Sequence, residues 1–513
     1  VGIDWRRRAL PAAALALALA AATGCDGGTT DATPRPTAAP SAPSAPSKDV
    51  ARVCAAPAAG PSKAPAGAVT VDPAVPGDLA AKTESSPPHT TFWLRPGRHT
   101  LMSDRYDQVT PKEGDVYVGA PGAVLDGRRS NHYAFGGAAR DVTIRYLTVR
   151  NFVAPRDEGV VNHDSADGWV IEHATIRDNS GAGLMAGARQ QVRASCLRDN
   201  GQYGMNAYKA GGPLDGLVLE GNEIAGNNTD DWERRRPDCG CSGGVKFWAV
   251  DGADVRGNWV HDNRGAGLWA DTNNNDFLIE GNLIEDNDGA ALIYEISYNA
   301  VVRKNTIRRN NWVEGRAQAA AGDSFPFATV YLSESGGEPR IRARTDKIDV
   351  YGNVLEDNWS GITLWENADR FCNSPANTSS GDCTLLVKDT GRCVQPAIAR
   401  APLESDCRWK TQRVDIHDNR FVLDKSVVHC TVKCDRMGVL SNYGTYPDWS
   451  PYQGERVAEA ITGEQHNRWH DNAYVGPWTF VVHDASRTIG FKQWQAAPYR
   501  QDKGSTFRAQ DGG

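Results

Sequence analysis

The sequence predicts an all-β solenoid of stacked, parallel strands, on three observations. One phrase repeats between residues 243 and 300: a short apolar strand such as Phe277-Leu278-Ile279, then Gly-Asn, an aliphatic pair, and Asp-Asn. The closing Asn of that phrase falls at Asn263, Asn287 and Asn310, steps of 24 and 23 residues, inside the range of solenoid repeats. The strands themselves are short runs of Val, Ile, Leu and aromatics bounded by Gly, Asn and Asp, with no helical period. A unit this short cannot bury a core alone and must stack on its neighbours, so strands one repeat apart run parallel.

In chain order, TFWLRPGRHTL (91–101) and DVYVGAPGAVLDG (115–127) read as strands broken by Pro-Gly and Asp-Gly turns, and Val142–Leu147 continues them. Further coils are expected at Trp169–Ile171, Gln191–Arg193, Leu217–Leu219, Ala253–Val255, Phe277–Ile279, Ala300–Val302, Ile348–Val350 and Arg413–Asp415. Three interruptions, residues 228–243, 311–327 and 367–411, are too long for ordinary turns, and loops on a rigid scaffold tend to carry function. The last holds Cys372, Cys383, Cys393 and Cys407, and local disulfides 372–383 and 393–407 are expected. Cys239 and Cys241 are too close to pair readily with each other. They lack the two-residue spacer and His pair of a zinc site, and no metal site is assigned.

The phrases Glu220-Gly-Asn222, Arg256-Gly-Asn258, Glu280-Gly-Asn282, Lys304-Asn305 and Tyr351-Gly-Asn353 resemble the right-handed parallel β-helix family, the architecture of pectate lyases and polygalacturonases. The resemblance covers residues 85–500 and implies a single-stranded right-handed parallel β-helix with long loop insertions. The Trp-Gln and Gln-Asp-x-x-Ser patterns between Phe491 and Phe507 are similar to the closing segment of β-helix enzymes, whose task is to cap the open end of the stack. Function does not follow from this fold, which hosts several chemistries.

All 513 residues are read as one folded body preceded by targeting and tether segments. A net charge of −7 argues against nucleic acid as a partner. Arg6-Arg7-Arg8, the Ala/Leu run from Leu10 to Ala22, and Ala22-Thr23-Gly24-Cys25 read as a secretory signal with a lipobox-like end, making Cys25 the candidate lipidation site. Setting Cys25 aside from the 11 cysteines leaves an even number, suited to disulfides in an oxidising compartment. Residues 26–84 are a Pro/Ala/Ser-rich tether and arm, with Cys54 expected to pin the arm to the body; residues 85–500 are the β-helix with its cap, and 501–513 a tail. The expectation is a monomer on the outer face of a bacterial membrane, held only by its lipid, with secretion as the alternative.

Placing the strands in register puts Tyr208, Trp248, Asp271 and Glu295 in one row on successive coils. Alternation sets Trp269 on the face of Asp271, with Lys246 one coil below. Aromatics beside carboxylates are what a sugar groove needs: apolar faces for stacking, acids for hydroxyls and proton transfer. Tyr331-Leu-Ser-Glu334 and Trp365-Glu366 follow in looser register, adding Glu334, Trp365 and Glu366 as candidate substrate contacts. Adjacent coils lie about 4.8 Å apart, near the roughly 5–5.5 Å carboxylate spacing of retaining glycosidases. Asp271 is therefore the candidate nucleophile and Glu295 the candidate acid/base of a glycoside hydrolase, needing no cofactor. An inverting scheme would pair Asp271 with Glu334 or Glu366. Two other classes stand beside it: a polysaccharide lyase or epimerase, with Lys246, Arg264 or His261 as base and Ca²⁺ at Asp271/Glu295, and a non-catalytic glycan-binding or structural surface protein. His163-Asp164 and His261-Asp262 are read as turn chemistry.

Overall fold

The computed structural model describes residues 50 and 52–509, apart from 210–211, 236–241, 323–326, 378–381, 443–444, 454–462 and 484–486. Cys25, Cys239 and Cys241 lie outside the described residues.

Three sheets wrap one core. Among the described residues two contain 13 strands and the third 11, and each strand hydrogen-bonds to its counterparts one coil before and after it. The first sheet runs from Val69–Val71 to Arg468–His470, the second from Gly97–His99 to Thr506–Arg508, and the third from Gly159–Val161 to Thr488–Ile489. All the pairings are parallel except the last of the third sheet, where Thr479–Val482 meets Thr488–Ile489 antiparallel. A typical coil is Val250–Arg256, Trp259–His261 and Ala266–Ala270, one strand per sheet.

The repeated Asn phrases build the two sharp corners. Gly257, Gly281 and Gly352 sit at φ 60, 65 and 64°, left-handed values that glycine adopts without a Cβ clash, and each precedes a ladder asparagine. Asp262, Asp286 and Asp357 take φ 53, 56 and 51° before the second ladder. In the first ladder Asn258 Nδ2 donates to Asn282 Oδ1 at 2.9 Å and to Leu219 O at 2.9 Å, and the pattern continues through Asn305, Asn353, Asn419 and Asn472. In the second, Asn263 Nδ2 donates to Asn287 Oδ1 at 2.9 Å, between Asn227 below and Asn310 above. These side chains are buried, and satisfy backbone groups that a corner would otherwise leave unpaired.

Between the corners, inward residues stack in columns: Val255, Ile279, Val302, Val350 and Ile416 on the first sheet, and Val260, Ile284, Ile307, Leu355 and Phe421 on the second. All are buried in the same core. Outward on the first sheet, charge alternates from coil to coil: Arg145, Glu172, Arg193, Glu220, Arg256, Glu280, Arg303. Tyr351, His417 and His470 continue that row as a ring stack, with centroids 5.1 and 4.9 Å apart.

At the N-terminal end the helix Asp78–Ser85 buries Leu79 and Thr83. At the other end Trp494 stacks on Phe480, centroids 5.1 Å apart, and its indole N–H donates to Asp502 at 2.7 Å. Asp502 also accepts from Tyr474, Asn472 and Ser505, so the Gln-Asp-x-x-Ser segment closes the stack with a satisfied polar network. Disulfides 372–383 and 393–407 staple the long insertion as the local spacing predicts, and Cys54 joins Cys196. A further disulfide, Cys430–Cys434, was not foreseen from the sequence. Among the described residues no helix is long and apolar enough to cross a membrane.

Candidate functional site

The outward face of the third sheet carries the row drawn from the sequence. Ala207 pairs with Phe247, and Phe247 with Ala270, so the next residues, Tyr208, Trp248 and Asp271, follow in line. Ala270 pairs with Tyr294, which brings Glu295 beside Asp271 on the following coil. One row over, Asn206, Lys246, Trp269, Ile293 and Tyr331 are in register.

Lys246 ties the two rows together. Its ammonium lies 2.9 Å from Asp271 Oδ2, 4.3 Å from the centroid of Trp269 and 5.9 Å from that of Trp248. Tyr208, 44% exposed, meets Trp248 edge-on at 6.4 Å. The Thr272 hydroxyl donates to Asp271 Oδ1 at 3.0 Å, so both carboxylate oxygens are held in position. A fixed carboxylate–ammonium pair with an indole on either side can bind sugar hydroxyls and move a proton.

Beyond Asp271 the row is covered, which the sequence did not suggest. Glu295, Glu334, Trp365 and Glu366 are each 1% exposed. The disulfide-stapled insertion lies against the three acids and supplies the counter-charges. Arg370 lies 2.7 Å from Glu295 and 3.5 Å from Glu334, and Arg408 pairs with Glu366. Glu366 also accepts from the backbone N–H of Thr411 at 2.8 Å. Asn273 donates to the carbonyl of Cys383 at 2.8 Å and accepts from the Trp409 indole at 2.9 Å, fastening the insertion beside the row. Glu334 does not continue the line of Glu295. Ser333 occupies that register position, and Glu334 follows it in a left-handed turn, φ 43°.

Burial here penalises the charged form of Glu295, Glu334 and Asp382. Glu295 is pushed up to about 7, first by desolvation and then by the neighbouring charges of Asp271 and Glu334, with Arg370 opposing. Desolvation raises Glu334 as well, and Asp382, an insertion residue that also feels Asp271. A buried acid near neutrality beside an ion-paired Asp on the adjacent coil is the arrangement that separates the two carboxylates of a site into acid and anion.

The other sequence candidates fall elsewhere. His261 is on the second sheet, between Asp262 at 2.7 Å and Glu223 at 3.4 Å. Burial opposes its charge, but the two carboxylates outweigh that and raise it to about 9. Arg264 is in the corner between the second and third sheets, away from Asp271. Asp271 and Glu295 do not fit a Ca²⁺ ion, which takes six to eight oxygens, because each carboxylate already faces a basic side chain. Asp349, Asp415 and His417 on the first sheet bring ligand atoms within 4.8 Å of one another, but Lys347 already stands 3.1 Å from Asp349 and 2.9 Å from Asp415. Arg370, Arg408 and Asp382 escaped the sequence reading, since nothing in a loop's composition shows where it folds back.

Residues 159–345 match the family model described as "Right handed beta helix region". No curated protein matches the chain. Among solved structures, the A-module of mannuronan C-5 epimerase AlgE6 from Azotobacter vinelandii is similar over 87% of this chain and 97% of that one, at 11% identity and a TM-score of 0.44. The AlgE4 A-module from the same organism covers 70% and 93%, at 13% identity and 0.41. Pectate lyase Pel9A covers 56% and 69%, at 13% identity and 0.27. The match over residues 159–345 lies within one continuous stack of parallel coils, and the fold is a right-handed parallel β-helix.

Proposed function

We propose that this protein acts on a polysaccharide laid along the outward face of the third sheet, and that its chemistry is hydrolysis by Asp271 and Glu295. The observation that carries this reading is the contrast between the two acids: Asp271 is paired with Lys246 at 2.9 Å, while Glu295 is pushed up to about 7. In a retaining mechanism the ionised Asp271 attacks the anomeric carbon and Glu295 protonates the leaving oxygen; water then releases the sugar, and Glu295 recovers its proton. Trp248 and Tyr208 provide the apolar contacts; Trp269, expected from the sequence as a second platform, is only 8% exposed, packed in one cluster with Ile293 and Tyr331, and serves to back Lys246. Lys246 is displaced from Asp271, or shares it, as the sugar binds.

A second reading, glycan binding without turnover, is favoured by one observation: Glu295 is 1% exposed beneath Arg370. Hydrolysis requires Arg370 to withdraw, and binding does not.

Product release from plant, algal and bacterial cell-wall polysaccharides, followed by mass spectrometry, separates the readings. Hydrated oligosaccharides are expected, with Asp271→Asn and Glu295→Gln each lowering turnover by roughly 100- to 10,000-fold. As Glu295 is the acid, kcat/KM falls as pH rises through about 7. Unsaturated products would replace hydrolysis with β-elimination, in which Lys246 is the nearest base. Binding without any product would leave the face a recognition surface and withdraw both catalytic roles.

A further inference from the structure

A second polar cluster stands on the N-terminal coils of the third sheet, and the reading above leaves it unused. Phe135 bridges Val161, and the column continues through Leu184, Met205 and Val245. The cluster therefore lies three coils (His163 to Lys246) to six coils (Gln108 to Asp271) from the Lys246–Asp271 pair, roughly 14–29 Å along the axis at 4.8 Å per coil. The ring of Tyr133 stacks on His163 with centroids 3.7 Å apart, and its hydroxyl donates to Glu158. His132 meets Tyr133 edge-on at 5.7 Å, and Tyr106, 57% exposed, meets His132 edge-on at 5.2 Å. Gln108 and Asp164 approach Gly136 from opposite segments, and Asp164 accepts the backbone N–H of Gly137.

Three buried polar atoms in this cluster, Gln108 Oε1, His132 Nδ1 and His163 Nδ1, have no hydrogen-bond partner among the described residues. An unmade hydrogen bond at a buried atom costs roughly 1–3 kcal/mol, so three in one place call for an occupant. Their chemistry narrows it. Gln108 Oε1 only accepts, whereas each imidazole Nδ1 donates or accepts according to tautomer. A hydroxyl, which does both, satisfies all three. A carboxylate or phosphate cannot donate to Gln108, and it would face Glu158 and Asp164.

We propose that this cluster is a second carbohydrate subsite, taking a neutral, hydroxyl-bearing sugar unit of a chain that also lies on Lys246–Asp271. The inference rests on the reading of the third-sheet face as a glycan surface. Tyr106 supplies the exposed aromatic edge, and Gln108, His132 and His163 supply the hydrogen bonds.

The test is calorimetric titration of the full chain with neutral β-1,4-linked octasaccharides of glucose, mannose and galactose, in unmodified protein and in Gln108→Leu, His132→Phe and Trp248→Ala, with thermal unfolding to confirm each fold. Gln108→Leu and His132→Phe are each expected to weaken the octasaccharide that binds by about 3- to 10-fold, the loss of one hydrogen bond. Saturation of the unmodified protein should also move the imidazole NMR signals of His132 and His163. Weakening by Trp248→Ala alone, with those signals unmoved, overturns the second subsite and leaves the first reading standing. Weakening by Gln108→Leu and His132→Phe but not by Trp248→Ala supports the subsite and removes the Trp248 contact instead. Failure of all three octasaccharides to bind overturns the subsite as a neutral-sugar site, while polysaccharide turnover still tests the first reading independently.

Discussion

Glu295, Glu334 and Arg370 form a buried set with two acids and one base, and the imbalance shows in the raised acids. The folded state holds a proton on Glu295 that the unfolded chain has released, so this group's contribution is favourable below its ordinary value of 4.5 and is lost as pH rises towards about 7. Glu295→Gln leaves Arg370 matched to Glu334 alone. Relative to the unmodified protein it is expected to gain stability between pH 5 and 8, as measured by urea unfolding at both ends of that range. Arg370→Met strands two buried carboxylates, and a loss of about 3–5 kcal/mol at pH 8 is expected, smaller at pH 5 where they protonate. A variant equally unstable at both pH values would show that the loss is one of packing. The positions of these acids were legible in the sequence, because period-two alternation and the 24-residue step place Asp271 and Glu295 side by side. Their burial was not legible, because Arg370 reaches Glu295 from 75 residues further on, through an insertion with no repeat of its own.

The corners are the elements on which the coil depends, and they were the most legible part of the chain. Gly-Asn and Asp-Asn stand in the sequence because a left-handed residue must precede each asparagine, and only glycine, or a residue tolerant of that conformation, fits. Lys304 and Arg309 adopt it as well, at φ 55° each, which is why the phrase at Lys304-Asn305 lacks its glycine. Asn263→Ala would orphan the backbone N–H of Asn227 and the carbonyl of Ile224, both buried. A loss of about 2–4 kcal/mol is expected from those two groups, read as a lower denaturation midpoint with an unchanged slope. An effect below 1 kcal/mol would mean that water replaces the side chain. The ladder on the third-sheet side of the coil was foreseen at Asn263, Asn287 and Asn310; its earlier members, Asn179 and Asn200, keep their Asp-Asn but lie in coils where His173-Ala174 and Ala194-Ser195 replace the Gly-Asn of the other corner.

At the scale of the molecule, the arm before the β-helix is sewn to its flank. Cys54 bonds to Cys196 across 142 residues, the backbone N–H of Cys54 donates to Glu223 at 2.9 Å, and Arg52 lies over Trp259 at 5.2 Å. All three partners belong to the second sheet, so the arm occupies a face other than the one bearing Asp271. Replacing both cysteines with serine is expected to cost about 2–4 kcal/mol while leaving carbohydrate binding on the third sheet intact; a change in binding would tie the arm to that face. The charge row on the first sheet has a consequence for how so repetitive a chain finds its proper alignment. Coils that stack the same three short strands on repeated asparagine corners could dock one step out of place with little loss of apolar burial. The row from Arg145 to Arg303 distinguishes odd from even coils: a slip of one coil sets Arg against Arg and Glu against Glu along its length, and only a slip of two would escape. Each exposed pair contributes little to stability, yet together they act as a parity check on assembly, a proofreading device written along the outside of the solenoid.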